Sequence, residues 1–168
     1  MTAQEKHRLL RTAFGQFATG VCVITTRDQH GDPVGITANS FASVSLDPPL
    51  VSWCVDKNAT RFEEYAQASH YSINILNSDQ RAVSDSFAMR SWDKTLFNEV
   101  DWFEGYRDIP QIPGAVARFH CTTETLYEGG DHLIIIGRVE DFDCEPQAPL
   151  VFFQGGYFAV EPEIPHGE

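Results

Sequence analysis

One stretch of the sequence stands apart from the rest: TANSFASVSLDPP, residues 37–49. It continues a predicted strand, carries many small hydroxyl and amide side chains, and ends in two prolines that restrict the direction of the chain. Such a segment can present several hydrogen-bond donors and acceptors to one edge of a planar heteroaromatic ligand. Composition alone also allows a polar loop in which Asn39 and the serines cap their own backbone.

Mostly β-structure is predicted on either side of this stretch. Turn formers between the first two strands and between the two long strands predict hairpins, and Pro48 and Pro49 predict an extended break. The spacing of strands favours an antiparallel barrel over a parallel sheet, and the sequence has no GxGxxG fingerprint. Apolar and β-branched runs predict the strands at residues 21–26, 34–38, 50–55, 70–76, 117–127 and 132–144, with a closing strand in two pieces at 150–153 and 157–160.

Three short helices are predicted around the strands. Thr60 and Glu63 have the spacing of a capping box and predict a helix that runs to Ala68. Another helix is predicted at residues 78–88. The helix nearest the start of the chain stops at Gly20 and has an apolar stripe made of Leu10, Ala13, Phe14, Phe17 and Ala18.

Two segments are predicted to lack regular structure. Residues 91–113 combine aromatic, charged and turn-forming residues and are expected to form a long loop. The polar tail at residues 161–168 is expected to fray. Two aromatic residues, Phe87 and Trp92, are expected in the core.

The composition limits the classes of partner. The 168 residues are expected to form a single domain, and 24 acidic against 12 basic residues give a net charge of −12. This excess argues against nucleic acid and anionic membrane as partners, so local groups must hold any phosphate. No apolar run reaches the roughly 18 residues of a membrane helix. The start of the chain has no apolar signal core, so the cytoplasm is the expected compartment.

Cysteine and histidine do not predict a metal site. The six histidines form no HxH or HExxH pattern, and the cysteines form no CxxC pair. Reduced and mostly buried thiols are therefore expected at the four cysteines Cys22, Cys54, Cys121 and Cys144.

The segment at residues 37–49 resembles the flavin reductase family with the FMN-binding split barrel. Three further blocks occur in family order: Asn58-Ala59-Thr60, Gly130-Asp131-His132 and Gly156-Tyr157. With FATGV at residues 17–21, the resemblance covers roughly residues 10–160. It implies a mainly β fold, an antiparallel Greek-key barrel with short flanking helices, as a single domain over residues 1–168.

The resemblance also implies a function. Members of the family transfer hydride from NADH or NADPH to FMN or FAD, and many supply reduced flavin to a flavin-dependent monooxygenase. NADH is favoured over NADPH here because no basic cluster near His132 is suited to a 2′-phosphate; Arg138 is the nearest cation. The family also implies a homodimer. The choice between FMN and FAD, and between flavin as bound group and flavin as substrate, is open.

The resemblance assigns the flavin ring to two neighbouring segments. Thr37, Ala38, Asn39 and Ser40 would line the isoalloxazine and the ribityl chain, with Ser43 as a further contact. Donors there would stabilise the negative charge that reduction places near N1 and O2. The end of the next strand, Cys54, Val55 and Asp56, would border the same ring. A redox role for Cys54 is not implied, because this thiol has no activating base beside it in the sequence.

A phosphate site is predicted from Asn58, Ala59, Thr60 and Arg61, where a helix N-terminus, a hydroxyl and a guanidinium occur together. N-capping by Thr60 with Glu63 is the structural alternative. Lys94 is a further candidate. The family has Lys-Phe at this point, whereas Thr95-Leu96 intervenes before Phe97 in this sequence, so a solvated lysine is the alternative.

The resemblance places Gly130, Asp131 and His132 at the nicotinamide. Without it, these residues would be read as a hairpin turn with glycine at positive φ. His132 is expected to contact the pyridine nucleotide without acting as an obligatory acid or base, because hydride transfer depends on ring stacking at roughly 3.5 Å. Tyr157 could close the same pocket or pack in the core.

Other functions remain open at this point. One is a split-barrel oxidase resembling pyridoxine-phosphate oxidase, which shares the flavin but passes electrons to oxygen. Another is a flavin-binding protein without catalysis, and a third is a β-barrel interaction module. Oxidation of pyridine nucleotide in the presence of free flavin distinguishes the reductase from all three.

Overall fold

The computed structural model describes residues 1–160 and consists mainly of antiparallel strands. The three α-helices among these residues are α1 (Ala3–Phe14), α2 (Phe62–Ala66) and α3 (Arg81–Met89). The strands are β1 (Thr19–Gly20), β2 (Cys22–Arg27), β3 (Pro33–Ala38), β4 (Ala42–Leu46), β5 (Pro49–Asp56), β6 (His70–Ile75), β7 (Phe103–Glu104), β8 (Pro110–Gln111), β9 (Ala117–Gly129), β10 (His132–Cys144), β11 (Leu150–Phe153) and β12 (Gly156–Ala159). The predicted tail at 161–168 lies outside the described residues.

The main sheet has seven strands in the order β3-β2-β6-β9-β10-β5-β4. All its neighbouring pairs are antiparallel, so the predicted antiparallel architecture is confirmed. Its two edge strands, β3 and β4, follow each other in the chain through residues 39–41. The sheet curls until β3 lies against β5, and no ladder joins β3 to β4 among the described residues. The curled sheet is therefore open at this seam.

The closing strand was predicted wrongly. Residues 150–153 and 157–160 do not form one interrupted strand but a hairpin, β11–β12, which pairs with β1 in a separate three-stranded sheet. The turn between them needs positive φ at Gln154 and Gly155, and such a turn reverses the chain. The predicted loop at 91–113 also contains the short β7–β8 pair.

The first helix lies earlier in the chain than its apolar stripe indicates. A capping box at Thr2 and Glu5 begins it, and Gly15 caps its end, so the predicted end at Gly20 is wrong. None of its residues is buried. Phe14 and Phe17 are 70% and 78% exposed, respectively, so the apolar face that the sequence predicts has no partner within the described chain.

Two other local predictions are wrong. Helix α2 begins after Arg61 without a side-chain cap, so Thr60 and Glu63 form no capping box. The prolines do not produce an extended break. The chain reverses at residues 47–48 between β4 and β5, and the Asp47–Pro48 peptide is cis. Strand β4 itself was not predicted, because its polar side chains are those of an exposed edge strand.

The core consists of two apolar clusters. Inside the barrel, Trp53 packs edge-on against Tyr65 and Tyr71. The second cluster joins α3 to the loop after it through Phe87 and its neighbours. Phe87 is fully buried, as predicted, whereas Trp92 is 59% exposed and the prediction of a core position is wrong. No helix of residues 1–160 is long and apolar enough to cross a membrane.

A buried histidine makes stability depend on pH. His120 on β9 is 2% exposed. Its Nε2 lies 2.8 Å from the carbonyl oxygen of Tyr106, which can only accept, so Nε2 carries the proton. Burial lowers the pKa of His120 to about 4, although Asp141 across the ladder acts in the opposite direction; His70 and Arg107 lower it further.

The stability of the protein should fall as the pH drops from about 6.5 towards 4. The unfolded chain takes up a proton on His120 near pH 6.5, whereas the folded chain resists it until about pH 4. This difference in the pKa of His120 lowers the free energy of unfolding by on the order of 3 kcal/mol between the two pH values. Urea denaturation at several pH values should show a shallower decline for His120→Gln than for the wild type, and parallel declines would contradict the assignment.

Candidate active site

The segment at residues 39–41 crosses the open seam of the barrel and is attached to β5 by Ser40. The Ser40 hydroxyl accepts a hydrogen bond from the Cys54 amide at 2.9 Å and donates to the Cys54 carbonyl at 3.2 Å. Among residues 1–160, the amides of 39–41 make no backbone hydrogen bond. These amides are thus donors available to a ligand. Ser40 was predicted to contact the ring, but its hydroxyl is engaged in this attachment.

Thr37 attaches the same segment to α3. Its hydroxyl donates to the Ser84 carbonyl at 2.7 Å, and the Ser84 hydroxyl lies 2.9 Å from the Tyr157 hydroxyl. Tyr157 packs against Phe152 in the second cluster. Tyr157 is therefore linked through Ser84 to the strand that carries Thr37. The sequence did not indicate Ser84.

The other residues predicted to border the flavin ring differ in how exposed their side chains are. Asn39 and Ser43 are exposed, and Ala38 is half-buried at the end of β3. Val55 belongs to the barrel core, so only its backbone can face a ligand. Burial raises the pKa of Cys54, which keeps it in the unreactive thiol form.

The turn at residues 130–132 lies beside the end of β5. His132 is the ladder partner of Asp56, and Gly130 has the positive φ of 73° that the turn requires. Lys57 links the end of β5 to this turn. Its amide donates to the Asp131 carbonyl at 3.0 Å, and its ammonium donates to the Gly130 carbonyl at 2.8 Å and pairs with Glu128.

His132 is oriented by its neighbour. Its Nδ1 lies 2.8 Å from the Asp131 carboxylate, and the hydrogen bond with His132 lowers the pKa of Asp131. The imidazole is 42% exposed. With Nδ1 directed at Asp131, Nε2 is the ring nitrogen left for a ligand.

Asp56 shapes the chain after β5. Its carboxylate accepts from the Asn58 amide and side chain at 2.8 and 3.1 Å. This local turn directs the chain towards α2, with Ala59 packed on the barrel core and Thr60 exposed. The side chains of Asp56 and Asn58 are therefore engaged with each other.

An open cleft of about 730 Å³ lies beyond this turn. Its walls include Thr60, Arg61 and Lys94, three of the predicted phosphate residues, together with Asp28 and Trp92. Helix α2 has only five residues, so its dipole contributes less than the predicted helix would. The cations are the main feature suited to an anion.

Arg61 is the strongest anion-binding candidate in the cleft. It is 7% exposed, yet among residues 1–160 its guanidinium has only long contacts, 3.5 Å to Glu64 and 3.8 Å to Asp28. Arg90, Arg118 and Arg138 instead make charged hydrogen bonds of 3.0 Å or less. A buried guanidinium needs partners for its five donors, and those of Arg61 are largely available to a phosphate.

Asp28 lies close to two of the cations that line the cleft. Its Oδ2 is 3.8 Å from Arg61 and 4.0 Å from Lys94. Burial would raise the pKa of Asp28, but the amides of His30 and Asp32 and the charge of Lys94 lower it below its ordinary value. The carboxylate therefore stays ionised and partly neutralises both cations.

The residues fit the flavin in two respects. Free amides at 39–41 suit the polar edge of the ring, and the buried guanidinium of Arg61 suits the phosphate. Residues 1–160 contain no group of three or more metal-ligating side chains. All four cysteines are free, with Cys22 and Cys121 buried and Cys144 exposed.

Lys57, Ser84 and Asp28 are the residues of this region that sequence reasoning missed. Each acts through a partner far away in the chain: Lys57 at Gly130, Ser84 at Tyr157, and Asp28 at Arg61. Lysine after a strand and aspartate in a turn are ordinary surface features. The sequence therefore contains no local signal that could have identified them.

Comparisons with known proteins agree with this geometry. Residues 14–161 match the family of the flavin reductase like domain. The reductase component of a trigonelline monooxygenase from Acinetobacter baylyi is 46% identical over 94% of this chain and 50% of that protein. An FMN reductase (NADH) from Agrobacterium fabrum is 40% identical over 91% of this chain and 86% of that protein.

Solved structures share the fold. The NADH:FAD oxidoreductase of Streptomyces globisporus, solved with NAD and FAD fragments, has a TM-score of 0.87 at 37% identity, over 97% of this chain and 98% of that one. The chain spans about half the length of the first two curated relatives, 50% and 48%. Because the family match covers most of the sequence, this chain belongs to the flavin reductase family, the family of the flavin reductase like domain.

Proposed function

We propose that this chain is a flavin reductase that transfers hydride from NADH to FMN or FAD. One observation carries the proposal: hydrogen bonds and ladder pairs connect the free amides of residues 39–41, through Ser40 and β5, to His132. A ring bound at these amides would thus have His132 at its border. The names of two relatives, FMN reductase (NADH) and NADH:FAD oxidoreductase, support the choice of reactants.

The chain's own groups bind and orient the reactants. A bound flavin would supply the acceptor for the hydride, with its two electrons, that NADH gives up as it becomes NAD⁺. The amides of 39–41 would donate to the ring edge where negative charge develops, and because they are fixed by Ser40 they would need little reorganisation. His132 would contact the nicotinamide half through Nε2 and so help to orient it towards the flavin ring.

The test is NADH oxidation by the purified chain with added FMN or FAD, followed by NADH absorbance against a no-flavin control. Turnover well above the non-enzymatic rate is expected with NADH and less with NADPH. Flavin binding without turnover would contradict the reductase and point to a flavin carrier. If no flavin binds, the similarity describes the fold alone.

A monooxygenase is the proposed acceptor of the reduced flavin. Relatives from Acinetobacter baylyi and Mycobacterium tuberculosis are named as reductase components of flavin-dependent monooxygenases. A homodimer is proposed as well, because the exposed Phe14 and Phe17 offer an apolar surface to a second copy. The cytoplasm remains the expected compartment, on the sequence alone.

Lys57 is expected to act as a positioning residue for His132. Lys57→Met removes the ammonium that donates to Gly130, so the turn at 130–132 should loosen and KM for NADH should rise about tenfold, with kcat little changed. Lys57→Arg retains a donor and should recover most of the loss. Steady-state kinetics at saturating flavin measure both. Equal effects of the two variants, or an effect on kcat alone, would contradict this role.

A further inference from the structure

The cleft beside Arg61 is larger than a flavin phosphate requires. Its volume of about 730 Å³ lies in the range of sites that enclose a whole small-molecule ligand, roughly 300–1,000 Å³. We propose that it binds the adenosine diphosphate half of FAD, with Trp92 as the stacking surface for adenine, and that the chain therefore prefers FAD to FMN. This inference rests on the proposed flavin reductase function.

The first argument is the position of the cleft relative to the ring site. Asp56 ends the strand beside the ring, and Thr60 lines the cleft. Three residues lie between them, and four steps along the chain span at most roughly 14 Å. A ligand that has its ring at Ser40 and Asp56 can thus extend its phosphate end past Thr60 and into the cleft.

The second argument is the buried Arg61. Within the described part of the chain, its contacts of 3.5 and 3.8 Å leave most of its donors without close partners, and Lys94 lines the same cleft with its ammonium 4.0 Å from Asp28. A diphosphate offers acceptors to both cations at once. The acids of the cleft do not oppose it strongly: Glu64 pairs with Arg61, Asp28 is shared by both cations, and Glu63 accepts from Gln67.

The third argument is Trp92. An exposed tryptophan is uncommon on a surface, and this one, 59% exposed, lines the cleft. Its loop is held in place, because Arg90 binds both oxygens of Glu99 at 2.7 and 3.0 Å and also pairs with Asp93. An indole on a loop held in this way, in the same cleft as Arg61 and Lys94, is suited to a nucleobase that carries a diphosphate. FMN has no such base, which is why the cleft predicts FAD.

The test uses the whole chain and two measurements. The first is calorimetric titration with ADP in the absence of flavin, and the second is KM for FAD and for FMN with NADH as donor. The wild type should bind ADP and have the lower KM for FAD. Trp92→Ala should weaken ADP binding and raise the ratio of KM for FAD to KM for FMN about tenfold or more. Lys94→Ala should weaken ADP binding. Phe142→Ala removes another exposed aromatic side chain, on β10 and outside the cleft lining, and should change neither ADP binding nor the KM ratio.

The inference would be overturned by an absence of ADP binding by the wild type, by equal KM values for the two flavins, or by an unchanged ratio in Trp92→Ala. It would also be overturned if Trp92→Ala increased KM for NADH with both flavins, because the cleft would then hold the adenylate of the nucleotide donor. Reduction of both flavins in any of these cases would leave the flavin reductase itself standing, whereas its own failure would abolish reduction of FMN as well.

Discussion

Replacement of His132 by alanine should lower kcat/KM for NADH about 100-fold at saturating flavin. The imidazole is 2.8 Å from Asp131, and a hydrogen bond that involves a charged group contributes about 1.5–3 kcal/mol, or roughly tenfold to 100-fold. In the proposed complex, loss of the ring would also release the nicotinamide from one side and so reduce the fraction of complexes with hydride donor and acceptor in stacking geometry. The upper end of this range is therefore expected.

The measurement is the initial rate over a series of NADH concentrations. FMN affinity, measured by fluorescence titration without NADH, is the control and should change less than twofold, because the free amides of 39–41 and Arg61 are untouched. Asp131→Asn is the matched variant. It keeps an acceptor for Nδ1 but removes the carboxylate, and a loss of about tenfold is expected. A His132→Ala enzyme with wild-type kcat/KM would remove this residue from the nicotinamide site.

The sequence correctly predicted the strands that are determined by local residue patterns. The hairpin β2–β3 and the long pair β9–β10 were predicted within two residues of their bounds, because alternating β-branched runs flank clear turn signals. Strand β4 was missed since its stability comes from pairing with β5, not from its own composition. The helix end at Gly15 was missed because the stripe through Phe17 continues beyond it.

The site shows the same division between local and long-range causes. Family motifs assigned the segment 37–40 to the flavin and His132 to the nicotinamide, and the structure places both beside β5 through the ladder and the Ser40 hydrogen bonds. Their individual tasks did not follow from the motif. Thr37 and Ser40 use their hydroxyls within the protein, and Tyr157 reaches the site only through Ser84. Such assignments depend on which partner lies within about 3 Å, a property of the fold.

Replacement of Arg61 by methionine should raise the ratio of KM for FMN to KM for riboflavin about 100-fold. FMN and riboflavin differ only in the 5′-phosphate, so the ratio isolates the contribution of that group. A guanidinium can donate two hydrogen bonds to a phosphate, and at about 1.5–3 kcal/mol for a charged hydrogen bond the expected loss is near 3 kcal/mol, or roughly 100-fold. Methionine fills much of the volume, which limits the cavity that the change leaves.

The difficulty with this variant is that Arg61 has a structural task as well. Without it, the buried Asp28 keeps, among residues 1–160, only Lys94 as an ion-pair partner, at 4.0 Å, and a poorly compensated buried carboxylate costs several kcal/mol of stability. The double variant Asp28→Asn/Arg61→Met removes that charge and should recover most of the stability in urea denaturation. If Arg61 binds the phosphate, the altered ratio persists in the double variant, since the guanidinium is still missing. If the ratio returns to its wild-type value together with the stability, Arg61 serves the fold through Asp28, and the phosphate must depend on Lys94 and Thr60.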